Sequence, residues 1–249
     1  MSGSGQTEVD GIGSPVRIVV SSADTLEIGR LCSLVADTAE VGERISTVSA
    51  EWLGRPYVLN SLDPRGSTES LRIDLQAFDC VTMVETALAI SLSEDFQQFV
   101  DALRGIRYQN GVVAWESRNH YMTDWVTNNL SSGVIQNLTT GAATMEKITV
   151  LDAVEGLLPK LTAFRYFPQE KLGSVRRRLQ TGDIACFASL KPGLDVFHTG
   201  FILMAGGEVV LRHASRSSAI VLDQDLDQFV YANKMLGVIF VRPVLSRRV

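Results

Sequence analysis

A chain of 249 residues with 45% apolar and 20% charged side chains can bury a sizeable core, which argues against a disordered polypeptide. Its net charge of −5, without any long basic run, argues against a nucleic-acid backbone as the main partner. Cys32, Cys80 and Cys186 lie far apart, so they build neither a disulfide framework nor a zinc ribbon and leave at least one free thiol. No uninterrupted apolar run approaches the length of a membrane span, and Met1-Ser2-Gly3-Ser4-Gly5 lacks the regions of a signal peptide. The chain as it stands is therefore expected in the cytoplasm, or in the periplasm or outside the cell if a leader has been removed.

In chain order, residues 1–15 are rich in Gly and Ser and read as a flexible end, with 16–249 as one domain. From Thr25, Ile28, Cys32, Val35 and Ala39, then Val41, Ile45, Val48 and Trp52, are spaced for one helical face or for two helices bent near Gly42. Gly54 and Pro56 end it. Tyr57 to Ser70, with Asn60, Asp63, Pro64 and Gly66, reads as a loop leading to a short strand at Leu71–Leu75. A helix from Cys80 shows an apolar face at Val81, Val84 and Leu88, and another carries Phe96, Phe99, Val100 and Leu103.

Ile106 to Trp115, with Asn110-Gly111 between, resembles a hairpin with a tight turn. Ser117 to Trp125 reads as a loop entering a helix that runs to about Leu130; a surface helix with His120 and Asp124 paired is the simpler alternative. Residues 131–168 offer a possible strand at Ile148–Leu151, and Gln169–Leu179 reads as a helix whose Arg176-Arg177-Arg178 face is solvated. Strands follow at Ile184–Phe187, His198–Met204, Glu208–His213, Ala219–Leu222 and Val238–Val241. Helices before about residue 180 and strands after it predict an α+β fold, a helical N-terminal half packed on a C-terminal antiparallel sheet.

The chemistry centres on Phe78-Asp79-Cys80. If Asp79 caps the helix, Cys80 falls in the first turn, where free N–H groups and the helix dipole favour thiolate. A buried cysteine acting as a small hydrophobe is the competing reading, and Cys32 and Cys186 fit that one. A nucleophilic thiol needs an imidazole within hydrogen-bond reach and a third polar group to orient it. His198 and His213 lie on neighbouring strands joined by a Gly-Gly turn, so pairing brings them together. Asp183 reads as a turn residue, and Asp195 as a residue that positions the His198 strand or reaches the site.

Phe78–Glu85, Ile106-Arg107-Tyr108 with Gly111, Ser117–Tyr121 with Asp124-Trp125, Gly182-Asp183-Ile184, Gly193–Gly200 and His213-Ala214-Ser215 occur in order. Together they resemble the N-acetylmuramoyl-L-alanine amidase-like family, a branch of the NlpC-like, papain-fold cysteine peptidases of bacterial cell-wall metabolism. The likeness runs from about Ile28 to Pro243. It implies Cys80 as nucleophile, His198 as general base and acid, His213 as third polar residue, and Tyr57 beside the Cys80 N–H as oxyanion donor. Arg118, His120, Tyr121, Asp124 and Trp125 resemble a second polar block that lines the substrate cleft. The implied reaction hydrolyses a muropeptide amide, the N-acetylmuramoyl-L-alanine bond or one in the stem peptide, through a thioester and without a cofactor. An amine or alcohol acceptor in place of water makes the same site an acyltransferase acting on a small metabolite. His120, His198 and His213 with Asp183 offer zinc-type ligands without compact spacing and leave Cys80 unexplained. An inactive binding module that keeps the cleft is the remaining alternative.

Overall fold

The computed structural model describes residues 6–9, 16–62 and 69–245. Strands β1 (Gln6–Val9) and β2 (Val16–Val19) pair antiparallel, and β2 pairs parallel with β3 (Leu71–Arg72). Part of the stretch expected as a flexible end is thus a strand. The rest of residues 1–15 lies outside the described residues, as do Asp63, Pro64 and Gly66 of the expected loop. The strand expected over Leu71–Leu75 shrinks to two residues, because β2 offers it only Ile18 and Val19 as partners.

The apolar spacing after Thr25 resolves into two helices, α1 (Ser22–Val35) and α2 (Val41–Ala50). Ser21 caps α1 by accepting from the Asp24 N–H at 3.0 Å. Gly42 marks a close approach rather than the bend itself: a Cβ there would collide with the Thr181 carbonyl. At Gly182, with φ +88°, a Cβ would collide with Gly42. The two glycines let the helical layer touch the turn that enters the sheet.

Three more helices follow, α3 (Cys80–Ser91), α4 (Phe96–Arg107) and α5 (Met122–Ser131). Val81, Val84 and Leu88 predict one buried face for α3, yet every residue from Thr82 to Ser91 is buried. The reason is position. α3 is wedged between α1, α2 and α4 on one side and the sheet on the other, which is where a helix apolar all round belongs.

The hairpin expected at Ile106–Trp115 is absent: α4 runs on to Arg107, and two 3-10 turns, Gln109–Gly111 and Trp115–Ser117, fill the interval. Asn110 and Gly111 do take left-handed φ values, +55° and +66°. The Asn-Gly signal is real, but it stops a helix instead of joining strands.

The main sheet contains β4 (Ile135–Asn137), β5 (Met145–Leu151), β6 (Lys160–Pro168), β7 (Ile184–Ala188), β8 (Val196–Ala205), β9 (Glu208–Ser215), β10 (Ile220–Asp225) and β11 (Gly237–Pro243). Its order is β10-β9-β8-β7-β11-β6-β5, with β4 added to β11, and all of these pairings are antiparallel. The α+β architecture with an antiparallel sheet is therefore present. The β5–β6 hairpin is far longer than the strand expected at Ile148–Leu151. Its solvent face carries Ile148, Val150 and Leu161, which blurs the usual alternation. The helix expected over Gln169–Leu179 reduces to a 3-10 turn and α6 (Gly173–Arg176), although Val175 and Leu179 still pack on the sheet.

β7 shows why the central strands read as continuous apolar runs. Ile184, Cys186 and Ala188 enter the cluster shared with the helices, while Ala185 and Phe187 enter a second cluster containing Phe229 and Val230 of α7 (Leu226–Ala232). Both faces are covered. Among the described residues no helix is long and apolar enough to cross a membrane.

Candidate active site

Asp79 caps α3 as the sequence predicts. Its carboxylate accepts from the N–H groups of Val81 (3.0 Å) and Thr82 (2.8 Å), and its own N–H donates to Thr82 Oγ1 at 3.0 Å, closing a capping box. The cap leaves the Cys80 N–H beside its own sulfur, and the N–H of Thr199, one residue after His198, also faces that sulfur. Cys80 is partly exposed and lines a groove of about 1150 Å³. The thiol does not lean towards thiolate as the helix terminus alone suggests. Burial first and the Asp79 charge second push it up to about 12, outweighing the N–H groups of Thr199, Cys80 and Val81.

His198 and His213 meet as the strand pairing predicts. His198 Nε2 and His213 Nδ1 are 2.7 Å apart, with the rings nearly perpendicular at 85°. The β7–β8 register shifts between Phe187 and Ala188, so Phe187 faces His198, Ala188 faces Val196, and Phe197 is the extra residue. Such a bulge re-aims side chains next to a site. The His198 ring stacks on Phe229 at 5.3 Å, and His213 meets Phe229 edge-on at 5.3 Å. Desolvation by these walls pulls His198 down to about 3, with help from His213, and His213 down to about 4. Both imidazoles are neutral at pH 7.

Tyr57 lines the same groove, held because its N–H donates to the Ala219 carbonyl and the Val58 N–H donates to the Phe78 carbonyl. Burial and the neighbouring Cys80 and Asp79 push its phenol up to about 12, so it keeps its proton. Of the second polar block, Arg118 and His120 reach the groove. Arg118 donates to the Leu62 carbonyl at 3.1 Å and to Glu69 at 3.3 Å, and the His120 ring lies 4.4 Å from that of Trp115. The other three do not line it. Trp125 is wholly buried in the core, Tyr121 is buried with its hydroxyl accepting from the Val154 N–H, and Asp124 pairs with Lys160. Helical spacing explains the split, since Tyr121 and Trp125 lie one turn apart on the inward side of α5.

Asp183 is saturated by structure: both its oxygens accept from Arg242, at 2.7 and 2.9 Å, and Oδ2 also accepts from the Gln180 N–H. It stands apart from the imidazoles, and His120 Nε2 faces the Trp115 carbonyl at 2.7 Å, so the four zinc-type residues are not gathered. Asp195 ties α5 to β8, accepting from Thr123 N and Oγ1 at 2.7 and 2.8 Å. Cys186 is buried with its sulfur 3.7 Å from Thr199 Oγ1, and Cys32 is buried in the helical core.

Sequence reasoning missed several groove residues. Phe229 belongs to a one-turn-plus helix too short for a periodic signal, and Arg216 sits in the turn after β9. Glu85 and Arg107 form a buried ion pair at 2.7 Å, with Arg107 also donating to the Arg72 carbonyl. Burial pushes the Glu85 carboxyl up against the pull of Arg107. A charged residue within an otherwise apolar helix was the available clue to Glu85.

Residues 47–238 match the model of the AmiA-like, N-acetylmuramoyl-L-alanine amidase-like family, a span that holds Cys80, His198 and His213. Two crystal structures of an N-acetylmuramoyl-L-alanine amidase from Bacteroides uniformis are 26% and 27% identical, each with a TM-score of 0.74. They align over 82% of this chain and 98% and 99% of their own. Protein LPG0564 from Legionella pneumophila shares the fold at a TM-score of 0.77 with 20% identity, over 88% of this chain and 94% of its own. No curated protein matches the chain. The chain belongs to the N-acetylmuramoyl-L-alanine amidase-like family.

Proposed function

We propose that the protein is a cysteine-dependent amidase of papain-like, NlpC-like architecture that hydrolyses an amide in peptidoglycan fragments, either the N-acetylmuramoyl-L-alanine bond or one in the stem peptide. The observation that carries the reading is a thiol at a capped helix N-terminus facing the same groove as a hydrogen-bonded pair of neutral imidazoles. The groove is large enough for a sugar-peptide fragment, being above the usual size of a small-ligand pocket.

In the resting site both thiol and imidazole are uncharged. As the sulfur attacks the carbonyl carbon, His198 takes the thiol proton, creating opposite charges on two groups desolvated by burial, where their attraction offsets part of the burial cost. The Cys80 N–H and the Tyr57 hydroxyl are the donors for the developing oxyanion. His198 then gives its proton to the departing nitrogen. Water, deprotonated by His198, attacks the thioester and releases the acid and the thiol.

Incubating the protein and its Cys80→Ala variant with defined muropeptides, with and without an added amine, and reading the products by mass tests this. Cleavage by the parent alone, giving free acid, supports the reading. A variant that cleaves equally well overturns it, and an amide of the added amine reassigns the site to acyl transfer.

A further inference from the structure

The amidase reading leaves one proton unaccounted for, and the inference here rests on that reading. The hydrogen bond between His198 Nε2 and His213 Nδ1 contains one hydrogen, and either ring could supply it. For His198 to accept the thiol proton it needs an empty Nδ1. Its own hydrogen must then sit on Nε2 and be donated to His213 Nδ1. A neutral His213 consequently carries its hydrogen on Nε2. In the opposite arrangement His198 Nδ1 is already protonated and cannot act as a base. What faces His213 Nε2 decides between the two, since an acceptor there selects the reactive arrangement and a donor selects the idle one.

His213 is 2% exposed, and its Nε2 has no hydrogen-bond partner among the described residues. Leaving a buried N–H unpaired costs about 1–3 kcal/mol. The surroundings narrow the choice. Phe229 of α7 presents only hydrocarbon, Leu222 lies directly opposite on β10, and His198 holds the other nitrogen. Asp223, also on β10, is committed to Arg212 in a two-point ion pair at 2.6 and 2.7 Å. Gln224 pairs with Leu211 and so stands diagonal to His213, a separation that a long side chain spans. Its amide lies close enough to favour a proton on His213, short of hydrogen-bond geometry.

We propose that Gln224 is a positioning residue whose amide oxygen accepts the His213 Nε2 hydrogen, thereby fixing the tautomers of both imidazoles and freeing His198 Nδ1 as the base. Gln224 touches no reacting atom and acts through His213.

Imidazole ¹⁵N spectra test this without relying on turnover, because the chain has only 3 histidines. At pH 7.5 the parent protein, and equally its Cys80→Ala variant, should show His198 and His213 both protonated at Nε2. Gln224→Leu should lose that uniform pattern and lower kcat about 10- to 100-fold at constant KM, as expected when the base is held in the wrong tautomer part of the time. Gln224→Glu keeps an acceptor and should restore the tautomers. Its added charge, alongside Asp223, should move the acid limb of the kcat profile to higher pH. A parent His213 protonated at Nδ1, or a Gln224→Leu protein with unchanged kcat, overturns the proposal. A parent that cleaves no muropeptide overturns the amidase reading instead, and the spectra still decide the tautomers.

Discussion

Two polar clusters share the groove and are built on opposite principles. In one, Arg107 grips Glu85 and the Arg72 carbonyl, while Glu69 takes hydrogen bonds from Arg118 (3.3 Å) and the Tyr108 hydroxyl (2.7 Å). Here charge is answered by charge. In the other, two imidazoles are walled by Phe187, Phe197 and Phe229 and held neutral in the groove of a protonated thiol, and His213 Nε2, on the side of β10, has no partner among the described residues. The contrast separates polar groups that hold geometry, whose bonding capacity is used up, from groups kept in reserve, whose unspent capacity chemistry can draw on.

Breaking the reserve cluster should affect activity and little else. Cys80→Ala or His198→Ala should lower kcat/KM for a muropeptide amide by about 10⁴-fold or more. Calorimetry should find either variant folded, since both side chains are uncharged in the folded protein and removing one leaves no buried charge stranded. An active Cys80→Ala protein would show that the sulfur is not the nucleophile. The saturated cluster should behave in the reverse way. Glu85→Ala leaves the Arg107 guanidinium buried without its carboxylate and should destabilise the protein by about 3–5 kcal/mol in urea unfolding. Glu85→Gln, which keeps a hydrogen bond to Arg107, should cost less, and equal losses for the two would refute a role for the ion pair.

The same contrast sets the pH range of stability. His198 and His213 titrate near 3 and 4 when folded but near 6.5 when unfolded. As pH falls through 6.5 the unfolded chain takes up imidazole protons that the folded chain refuses, so the contribution of the two histidines to stability declines from 6.5 to about 3, opposed by the Glu85 and Asp195 carboxyls, which burial pushes up and which the folded chain protonates first. Cys80 and Cys186 titrate near 12 when folded against 9.0 unfolded, so above 9 the unfolded chain loses protons first and stability declines again. Urea midpoints should form a plateau between these limits. Replacing His198 with Phe should flatten the acid slope, and an unaltered slope would mean that the imidazole is not held neutral.

The two clusters also differ in how far they could be read from the sequence. Cys80 was legible because capping is local: Asp79 and Thr82 lie within four residues, and their hydrogen bonds need nothing distant. The imidazole pair was legible because a Gly-Gly turn joins strands β8 and β9 and limits their possible registers. Glu85–Arg107 spans two helices, and Phe229 comes from an element of 7 residues, so neither leaves a periodic trace. The β5–β6 hairpin stayed hidden because apolar residues occupy its solvent face, while Asn110-Gly111 gave the right backbone conformation in the wrong element. The error over the thiol was one of magnitude. A helix terminus is worth up to about 2 kcal/mol to a neighbouring charge in favourable, partly buried geometry, whereas desolvation can move a buried group by several pH units.

The smallest effect tests where the two principles meet, at Asp79. This carboxylate caps α3 and accepts from Ser61 Oγ at 2.8 Å, which makes it structural, yet its charge is one reason the adjacent thiol holds its proton. Asp79→Asn separates the two effects, because asparagine caps about as well but carries no charge. Losing the interaction between the carboxylate and the helix dipole should lower stability by about 0.3–1 kcal/mol. Removing a negative charge from beside the sulfur should lower the thiol's pKa, so alkylation of Cys80 by iodoacetamide between pH 8 and 9 should quicken, and the alkaline limb of kcat/KM should move to lower pH. Alkylation that slows or stays the same would mean that the cap's hydrogen bonds, and not its charge, set the state of the sulfur. The saturated and reserve clusters would then be coupled through geometry alone.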